Sequence, residues 1–465
     1  MKQNKSDLKR NPWWWIPSLY FGQGIPYVVV MSISVIMYKK MGISNTDIAL
    51  YTSWLYLPWV IKPLWSPFVD MFRTKRFWIV TMQLLIGAAL AAVAFTIPLP
   101  NFFQVTLAIF WLMAFSSATH DIAADGFYML ALEQHQQAAF VGVRSTFYRI
   151  AMITGQGILV VLAGWLENST GSITTGWVIT FFVLAGMFIA LFLYHRFVLP
   201  YPVSDKATLS QKSKEVVIAR SEATKVSPEA EKKGGLLLPM NRDRNNINEI
   251  SAVSKEFFGT FTVFFKKKEI GIILAFLLLY RFAEAQLVKL VTPFLLDPRT
   301  QGGLGLTTQD VGIAYGTAGV LALTAGGLLG GYLISKQGLK FWFWTMVCAI
   351  HLPDAVYIFL SQYQPENFLI ITSAVAVEQF GYGFGFTAYL LYMILVSEGE
   401  HKTAHYAICT GIMALGMMLP GMFSGWLEDQ IGYDNFFLWV MISTIPGFIV
   451  AAVIKIPEEF GKRTS

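Results

Sequence analysis

Two aspartates, Asp121 and Asp125, lie four residues apart inside the long apolar segment 102–132. If this segment forms a helix that crosses a membrane, both carboxylates lie on one face of it, because residues i and i+4 are neighbours on a helix surface. Carboxylates within the hydrocarbon region are costly, and they usually face the interior of a helix bundle or a wet cavity. Their placement therefore indicates a pathway for protons, ions or a polar solute.

The aspartate pair has two interpretations. Like charges one helical turn apart disfavour simultaneous ionisation, so one carboxyl group can bind and release a proton, with the adjacent His120 as a relay. Alternatively, Asp121 or Asp125 forms a permanent structural ion pair with Arg144 or Arg149. The residue types alone do not decide between proton transfer and a structural pair.

Ionisable residues also occur in the apolar segments of the C-terminal part of the chain. Arg281 and Glu284 are three residues apart, so they either neutralise each other or act separately, Arg281 binding a carboxylate through its guanidinium fork and Glu284 exchanging a proton. Lys289 points elsewhere and is expected to snorkel towards the outer surface. His351 and Asp354 are expected to form a local hydrogen bond around the proline kink between them.

The composition predicts the elements that position these residues. Apolar residues make up 55% of the chain and charged residues 14%, with a mean hydropathy of +0.52; an average soluble domain is about 25% charged. Twelve segments approach the roughly 20 residues that cross a bilayer. In chain order, as α1 to α12, they are approximately 13–38, 47–68, 77–98, 102–132, 141–166, 174–199, 269–296, 308–335, 341–361, 367–396, 404–427 and 434–455. An all-α membrane protein with twelve transmembrane helices is predicted.

One polar stretch, 201–256, separates these helices into two sets of six. It is rich in Lys, Ser, Asn and Glu and contains Gly234-Gly235, a composition typical of a largely disordered linker. We therefore predict an N-terminal six-helix half over 1–200, a linker over 201–256 and a C-terminal six-helix half over 257–465.

The distribution of basic residues predicts the orientation. Of the 35 Lys and Arg residues, only Lys39, Lys40 and Arg299 lie in the loops opposite the linker. Because positive residues stay on the cytoplasmic side, both termini and the linker are expected there. The polar N-terminus lacks the pattern of a cleaved signal peptide, so α1 is expected to act as a signal anchor. The net charge of +6 reflects this bias rather than a nucleic-acid site.

Enzymatic and metal-binding motifs were not found. Cys348 and Cys409 both fall in predicted helices, without the spacing of a zinc site or a case for a disulfide. Neither HExxH nor GxSxG occurs, so catalytic residues, a metal and a cofactor are not expected.

Short repeats relate the two halves. Leu19-Tyr20 in α1 recurs as Leu279-Tyr280 in α7, and Phe77-Trp78 in α3 recurs as Phe341-Trp342 in α9. The motif Gly164-Trp-Leu-Glu167 that ends α5 recurs as Gly425-Trp-Leu-Glu428 at the end of α11. The three offsets are nearly equal, as expected of duplicated halves. Two six-helix halves joined by a cytoplasmic linker resemble the major facilitator architecture.

The loop between α2 and α3 is similar to a signature of that superfamily. In WSPFVDMFRTKRFW, the residues Asp70, Arg73, Lys75 and Arg76 resemble its acidic and basic pattern, although the glycines are missing. The resemblance implies that these residues bridge the halves on the cytoplasmic side and hold the outward-open state. The alternative is an ordinary positive-inside loop.

A closer resemblance, to the AmpG-like muropeptide permeases, covers nearly the whole chain outside the linker. It is carried by Pro58–Asp70 in α2, Thr119–Gly126 in α4, Tyr148-Arg149 in α5 and Glu378–Gly385 in α10. Two departures are His120, where glutamine is usual, and the long linker. The wider group also contains the eukaryotic acetyl-CoA transporters.

This resemblance implies proton-driven import of anhydromuropeptides, sugar-peptide fragments of peptidoglycan, across the bacterial inner membrane for cell-wall recycling. In the superfamily, helices 1, 4, 7 and 10 line the cavity. The protein is expected to be a multi-pass monomer in the lipid bilayer, with protons and the sugar-peptide as its ligands. The expected proton-coupling residues are Asp121, Asp125, His120 and Glu284, and the expected substrate-binding residues are Arg281, Glu378, Gln379, Arg149 and Gln23.

Two alternatives stay open at this point. The first is a major facilitator for another amphiphilic solute, such as a siderophore, an acyl-CoA-like compound or a drug, moved inwards or outwards. The second is a membrane sensor that keeps the fold without transporting.

Overall fold

The computed structural model describes residues 10–205, 259–399 and 401–462, and within these ranges the chain is helical without a β-strand. Each of the twelve predicted ranges overlaps a helix, which confirms an all-α membrane fold. Ten helical segments of the described residues are long and apolar enough to cross a membrane. The count of twelve crossings, the domain boundaries and the nature of the linker stay predictions, because residues 206–258 lie outside the described part.

The helices of the N-terminal half begin and end close to the predicted positions. They are α1 Pro12–Lys40, α2 as two pieces, Asn45–Trp54 and Leu57–Phe72, α3 Lys75–Thr96, α4 Phe102–Ala131, α5 His135–Thr170 and α6 Ile173–Val198. The expectation of an unbroken α2 is wrong. Pro58 lies in the first turn of the second piece, where its missing N–H is tolerated.

The C-terminal half is helical as well. Its helices are α7 Ile270–Leu296, α8 Thr308–Gln337, α9 Leu339–Tyr363, α10 Phe368–Ser397 and a long segment, Lys402–Val453. Gly432 divides that segment with a φ of 72° and a ψ of 165°, a conformation that glycine adopts without a Cβ clash. We therefore use α11 for 402–431 and α12 for 433–453.

Several helices are irregular within the ranges predicted to span the membrane. α1, α5 and α8 contain π-helical turns at Val29–Ile33, Thr154–Leu159 and Gly312–Gly319. α7 is interrupted at Tyr280 and Arg281, and α9 contains a 3₁₀ turn at Leu352–Ala355. Irregular backbone at membrane depth is tolerated where protein or a cavity surrounds it, and it often marks a functional site.

The two halves touch through α2 against α11 and α5 against α8. Backbones approach closely there: a Cβ on Gly425 would lie 2.1 Å from the Asn45 carbonyl oxygen, and a Cβ on Gly316 would lie 1.8 Å from the Gln156 carbonyl oxygen. Large apolar side chains such as Phe95 and Leu328 are 71% and 66% exposed on the outer surface. A lipid environment accounts for them, since extensive exposure of large apolar side chains marks a surface that contacts a membrane.

The bundle has two ends, the linker face and the gate face. The linker face contains residues 73–76, 199–205, 266–269, 398–399 and 401–403. The gate face contains residues 39–47, 167–172, 297–310 and 428–433. The described start of the predicted linker, 201–205, packs against the N-terminal half: Asp205 accepts hydrogen bonds from the backbone N–H groups of Lys75 and Arg76 at 2.6 and 3.0 Å.

Candidate functional site

A cavity of about 1400 Å3 lies between the halves and is lined by α1, α2, α4, α5, α7, α8, α10 and α11. It exceeds the roughly 300–1000 Å3 of most small-molecule pockets. At the linker face it reaches Arg73, Lys75, Asp205 and Thr403. Helices 1, 4, 7 and 10 contribute as the resemblance implies, together with the helix pairs through which the halves touch.

The gate face is closed by a polar cluster between the halves. Lys39 on α1 forms an ion pair with Asp297 at 2.6 Å. The Asn45 side chain donates to Glu428 at 2.7 Å and to the Tyr433 hydroxyl at 2.9 Å, and Tyr433 donates to Asp297 at 2.7 Å. The cavity is therefore separated from the gate face by charge-assisted hydrogen bonds that join α1 and α2 to the C-terminal half.

A second joint at the gate face involves the other repeat. The Thr308 hydroxyl at the start of α8 donates to Glu167 at the end of α5, at 2.8 Å. Lys40 lies 3.6 Å from the same carboxylate. Glu167, Thr308 and Lys40 are not among the site residues predicted from the sequence. The signal was present in the repeated Gly-Trp-Leu-Glu motif, whose two glutamates both reach across to the opposite half.

The two α4 aspartates both line the cavity, with different partners. Asp121 accepts a hydrogen bond from the Trp59 indole at 3.2 Å and lies 3.6 Å from the Lys62 ammonium group. Asp125 forms an ion pair with Arg144 at 2.6 Å and accepts from the Tyr20 hydroxyl at 3.3 Å. Each carboxylate therefore has its own cation.

Arg149 was the other candidate partner for the aspartates. Its guanidinium donates to the Thr324 hydroxyl on α8 at 3.3 Å and lines the cavity. Arg144 instead lies between the rings of Tyr20 and Tyr128, 4.3 and 4.4 Å from their centroids. The two arginines are five positions apart on α5, so Arg144 is directed to α4 and Arg149 to the C-terminal half.

His120 faces away from the neighbouring aspartates. Its Nε2 accepts from the Gln83 amide at 3.1 Å, and the oxygen of the same amide contacts His195 Nδ1 at 2.9 Å. His195 Nε2 in turn contacts the Ser18 hydroxyl at 2.9 Å. This buried chain joins α1, α3, α4 and α6 behind the cavity wall, so the structure does not bring His120 into the cavity.

Arg281 and Glu284 on α7 both line the cavity. The Arg281 guanidinium donates to the Tyr382 hydroxyl and lies 4.6 Å from the centroid of the Phe386 ring. Among the described residues Arg281 has no ion pair within 4.0 Å, so the closed intrahelical salt bridge with Glu284 does not form. This contact with an aromatic ring leaves the guanidinium accessible from the cavity that it lines.

Lys289 is buried rather than directed to the outer surface, so the snorkelling expectation is wrong. Its ammonium group donates to the Thr52 hydroxyl on α2 at 3.0 Å and lies over the Tyr56 ring at 5.2 Å. The broken α2 supplies both contacts, which sequence spacing could not predict. Lys289 thus adds another cation to the cavity wall.

Glu378 and Gln379 lie on α10, where Gln379 lines the cavity and also donates to the Glu378 carboxylate at 3.0 Å. Glu378 accepts as well from the Tyr357 hydroxyl at 3.2 Å. Gln23 on α1 is buried at the cavity wall. The expected hydrogen bond between His351 and Asp354 is wrong, since neither side chain has a hydrogen-bond partner among the described residues.

The loop residues of the predicted gating group have partners within the N-terminal half. Arg76 binds the Arg196 and Leu199 carbonyl oxygens and stacks 3.9 Å from the Tyr201 ring centroid. Arg73 lies over the Phe77 ring at 5.3 Å. The side chain of Asp70 lies outside the described part. With the cavity reaching this face, these contacts do not join the two halves.

The family follows from a comparison of the whole sequence. The profile of the Major Facilitator Superfamily matches residues 17–404. The chain belongs to this superfamily. As a member of it, the protein is a multi-pass membrane transporter of small-molecule substrates, and its family and fold indicate a non-enzyme.

Two relatives of similar sequence are named as transporters. The putative transporter AmpG 4 of Rickettsia conorii is 25% identical over 441 residues, which cover 92% of each chain. The anhydromuropeptide permease of Escherichia coli K12 is 23% identical over 451 residues, 95% of this chain and 79% of the relative.

At the level of the fold, the structures of two transporters are similar. One is a bacterial homologue of the human lysosomal transporter Spinster in an inward-facing, unoccupied conformation, with a TM-score of 0.64, 13% identity and 96% coverage of each chain. The other is the nucleoside transporter NupG, with a TM-score of 0.60, 13% identity and coverage of 95% of this chain and 98% of that one.

Proposed function

We propose that this major facilitator imports anhydromuropeptides from the periplasm to the cytoplasm and couples their uptake to the proton gradient. The proposal is supported by relatives named for this substrate over most of the chain. It is also supported by the motifs of α2, α4, α5 and α10 that resemble those of the muropeptide permeases. The protein acts as a monomer in the bacterial inner membrane.

The observation that carries the proposal is the pairing of cations with aromatic rings in one large cavity. A muropeptide presents sugar rings and several carboxylates. Aromatic faces stack on sugar rings, while guanidinium and ammonium groups bind carboxylates. The basic residues available along the cavity are Lys62, Arg144, Arg149, Arg281 and Lys289, and the aromatic ones include Tyr20, Tyr27, Tyr56, Trp59, Tyr148, Tyr315, Tyr382 and Phe386.

Within that cavity, Arg281 is the substrate-binding cation that we propose first. It has no carboxylate of the protein as an ion-pair partner among the described residues, whereas Asp121 and Asp125 already neutralise Lys62 and Arg144. A bound carboxylate can therefore use the Arg281 fork without displacing a protein group. Arg149, Gln23 and Gln379 complete the proposed substrate contacts, and Glu378, predicted as a fourth, supports them from behind the wall by accepting a hydrogen bond from Gln379.

Proton coupling is assigned to carboxyl groups at the cavity wall, namely Asp121, Asp125 and Glu284. Protonation of Asp125 would release Arg144, and protonation of Asp121 would release Lys62, which makes a cation available to substrate. His120, behind the wall, would act as a relay only through rearrangement of its bond with Gln83.

The direction of transport follows from the proposed orientation. With the basic linker face in the cytoplasm, the cavity opens to the cytoplasm and the closed gate face lies towards the periplasm. This conformation would release substrate inwards. In the opposite state, Asp70, Arg73, Lys75 and Arg76 would close the linker face, and the gate cluster would separate.

Uptake into right-side-out membrane vesicles tests this function. Labelled anhydromuropeptide should accumulate when the outside is more acidic, and a protonophore should abolish the accumulation. Vesicles without the protein provide the control. Accumulation that is independent of the gradient would contradict proton coupling, and transport of siderophores or acyl-CoA compounds without competition by anhydromuropeptide would favour another solute.

A further inference from the structure

Three buried carboxyl groups meet next to the cavity, and they come from three different helices. Glu284 on α7, Asp354 on α9 and Glu378 on α10 each offer an oxygen atom, and these atoms all lie within 4.8 Å of one another. The residues are 2%, 1% and 2% exposed. Glu284 also lines the cavity, so the cluster communicates with it through one member.

The hydrogen bonds of the three groups are unequal. Glu378 accepts from the Tyr357 hydroxyl and the Gln379 amide at 3.2 and 3.0 Å. Neither oxygen of Asp354 has a hydrogen-bond partner among the described residues, and the same holds for Glu284 Oε2. A buried acceptor without a donor is costly, so Asp354 faces the two glutamates as a ligand that needs a cation or a proton.

Charged and titratable groups from the surrounding helices do not supply that cation in this conformation. Arg281, on the same helix as Glu284, binds Tyr382 and the Phe386 ring. Lys289 is directed to Thr52 on α2. The other titratable side chains around the cluster are tyrosine hydroxyls and an imidazole: Tyr315 on α8, Tyr357 on α9, Tyr382 on α10, and His351, which packs against the rings of Tyr280 and Phe448.

The two helix interruptions explain how the cluster forms. The break at Tyr280 and Arg281 starts a new helical piece, and Glu284 lies in its first turn. The 3₁₀ turn Leu352–Ala355 contains Asp354 and interrupts the α-helical pattern of α9. Interrupted helices that supply ligands at membrane depth are a recurrent way for secondary transporters to hold coupling ions.

We propose that Glu284, Asp354 and Glu378 together bind one coupling proton, at a site separate from Asp121 and Asp125, with Asp354 as an essential member. This inference rests on the proposed proton-coupled function. Three carboxylates at this spacing repel one another, and one bound proton allows a carboxylic acid to donate to a neighbouring carboxylate. When the proton leaves through the cavity to water, Glu284 becomes a carboxylate and competes with the substrate for Arg281.

Reconstituted protein provides the test. Asp354→Asn should abolish accumulation driven by a pH gradient, which wild type sustains at about tenfold per pH unit for each proton carried. Exchange of labelled for unlabelled substrate needs no net proton movement and should stay within about twofold of wild type. Ser361→Ala is the matched control, because Ser361 is a buried polar residue of the same helix that binds its own backbone. Gradient-driven accumulation by Asp354→Asn at the wild-type level would overturn the proposal.

A measurement without substrate separates this inference from the proposed function. Infrared difference spectra of the purified protein after a pH step should contain a carboxylic-acid band that Asp354→Asn and Glu378→Gln alter and Ser361→Ala leaves unchanged. That result would support proton binding by the cluster even if wild type failed to transport anhydromuropeptide. Identical bands in all variants, or loss of the band when sodium replaces potassium, would overturn a proton site, and the second result would indicate a sodium site.

Discussion

Glu167 and Glu428 end the two copies of the Gly-Trp-Leu-Glu motif, and each accepts a hydrogen bond from the first residue of a helix in the opposite half. Thr308 donates to Glu167 at 2.8 Å, and Asn45 donates to Glu428 at 2.7 Å. Both donors directly follow an N-cap residue, Thr307 or Ser44. The gate face is therefore closed by two equivalent joints.

We expect Asn45→Ala to weaken this closure. The substitution leaves the Glu428 carboxylate without its Asn45 donor, and a hydrogen bond to a charged group is worth about 2 kcal/mol, or about 30-fold in an equilibrium. Spin labels at the exposed residues Asn168 and Gln430, one in each half, should report a larger population of long distances. Asn435→Ala is the control, since among the described residues the Asn435 side chain donates only to the Ile431 carbonyl oxygen of its own half. Unchanged distances for Asn45→Ala would contradict the assignment of this joint.

The close backbone contact at Gly425 predicts a stronger effect. A Cβ there would lie 2.1 Å from the Asn45 carbonyl oxygen, so Gly425→Ala should prevent full closure of the gate face and reduce transport at least about tenfold. Gly331→Ala is the matched control, because no atom lies within 4 Å of its added Cβ. Transport by vesicles and labelling of Asn168→Cys from the gate side measure the two effects. Wild-type transport by Gly425→Ala would show that the halves need not approach this closely.

The ion pair between Asp125 and Arg144 allows the two interpretations of Asp125, proton transfer and a structural pair, to be distinguished. The side chains are 42% and 27% exposed, so their ion pair should contribute no more than about 1 kcal/mol to the free energy of unfolding. Asp125→Asn should therefore fold, lose accumulation driven by a pH gradient and retain exchange. Yield, melting temperature and both transport modes are measured. A loss of yield that Arg144→Gln restores would instead assign the pair a structural role.

Arg281→Lys should lower substrate affinity, although the charge is kept. Lysine cannot stack on Phe386 or present two parallel donors to a carboxylate, and the loss of a charge-assisted hydrogen bond corresponds to about tenfold or more in Kd. Binding is measured with an anhydromuropeptide and with its amidated analogue. Wild type should prefer the free carboxylates, and Arg281→Lys should lose that preference. Lys336→Arg, at a partly exposed site over Tyr332, is the control.

The helices were predictable because apolar length is a local property of the sequence. The partner of Asp125 was not, since Arg144 and Arg149 are both close in sequence and only the rotation of α5 directs one of them to α4. The spacing of Lys289 from Glu284 predicts a position at the outer surface. The broken α2 brings Thr52 to it instead.

Asp354 illustrates the limit of sequence reasoning more clearly. Its spacing from His351 indicated a local hydrogen bond on a peripheral helix. Asp354 lies in the 3₁₀ turn that contains Pro353, and it meets Glu284 and Glu378 from two other helices. A contact among three helices depends on their tertiary packing, which no spacing within one helix determines.

The chain of hydrogen bonds from Ser18 to His120 has a polarity. Gln83 presents its oxygen to His195 and its nitrogen to His120, so Nε2 of His120 acts as an acceptor. The glutamine usual in muropeptide permeases at this position can accept the same bond through its carbonyl oxygen. An exchange of histidine and glutamine at position 120 therefore preserves the direction of the hydrogen bonds. We expect the residue type at this position to depend on the hydrogen-bonded residues Gln83 and His195 rather than on the transported substrate.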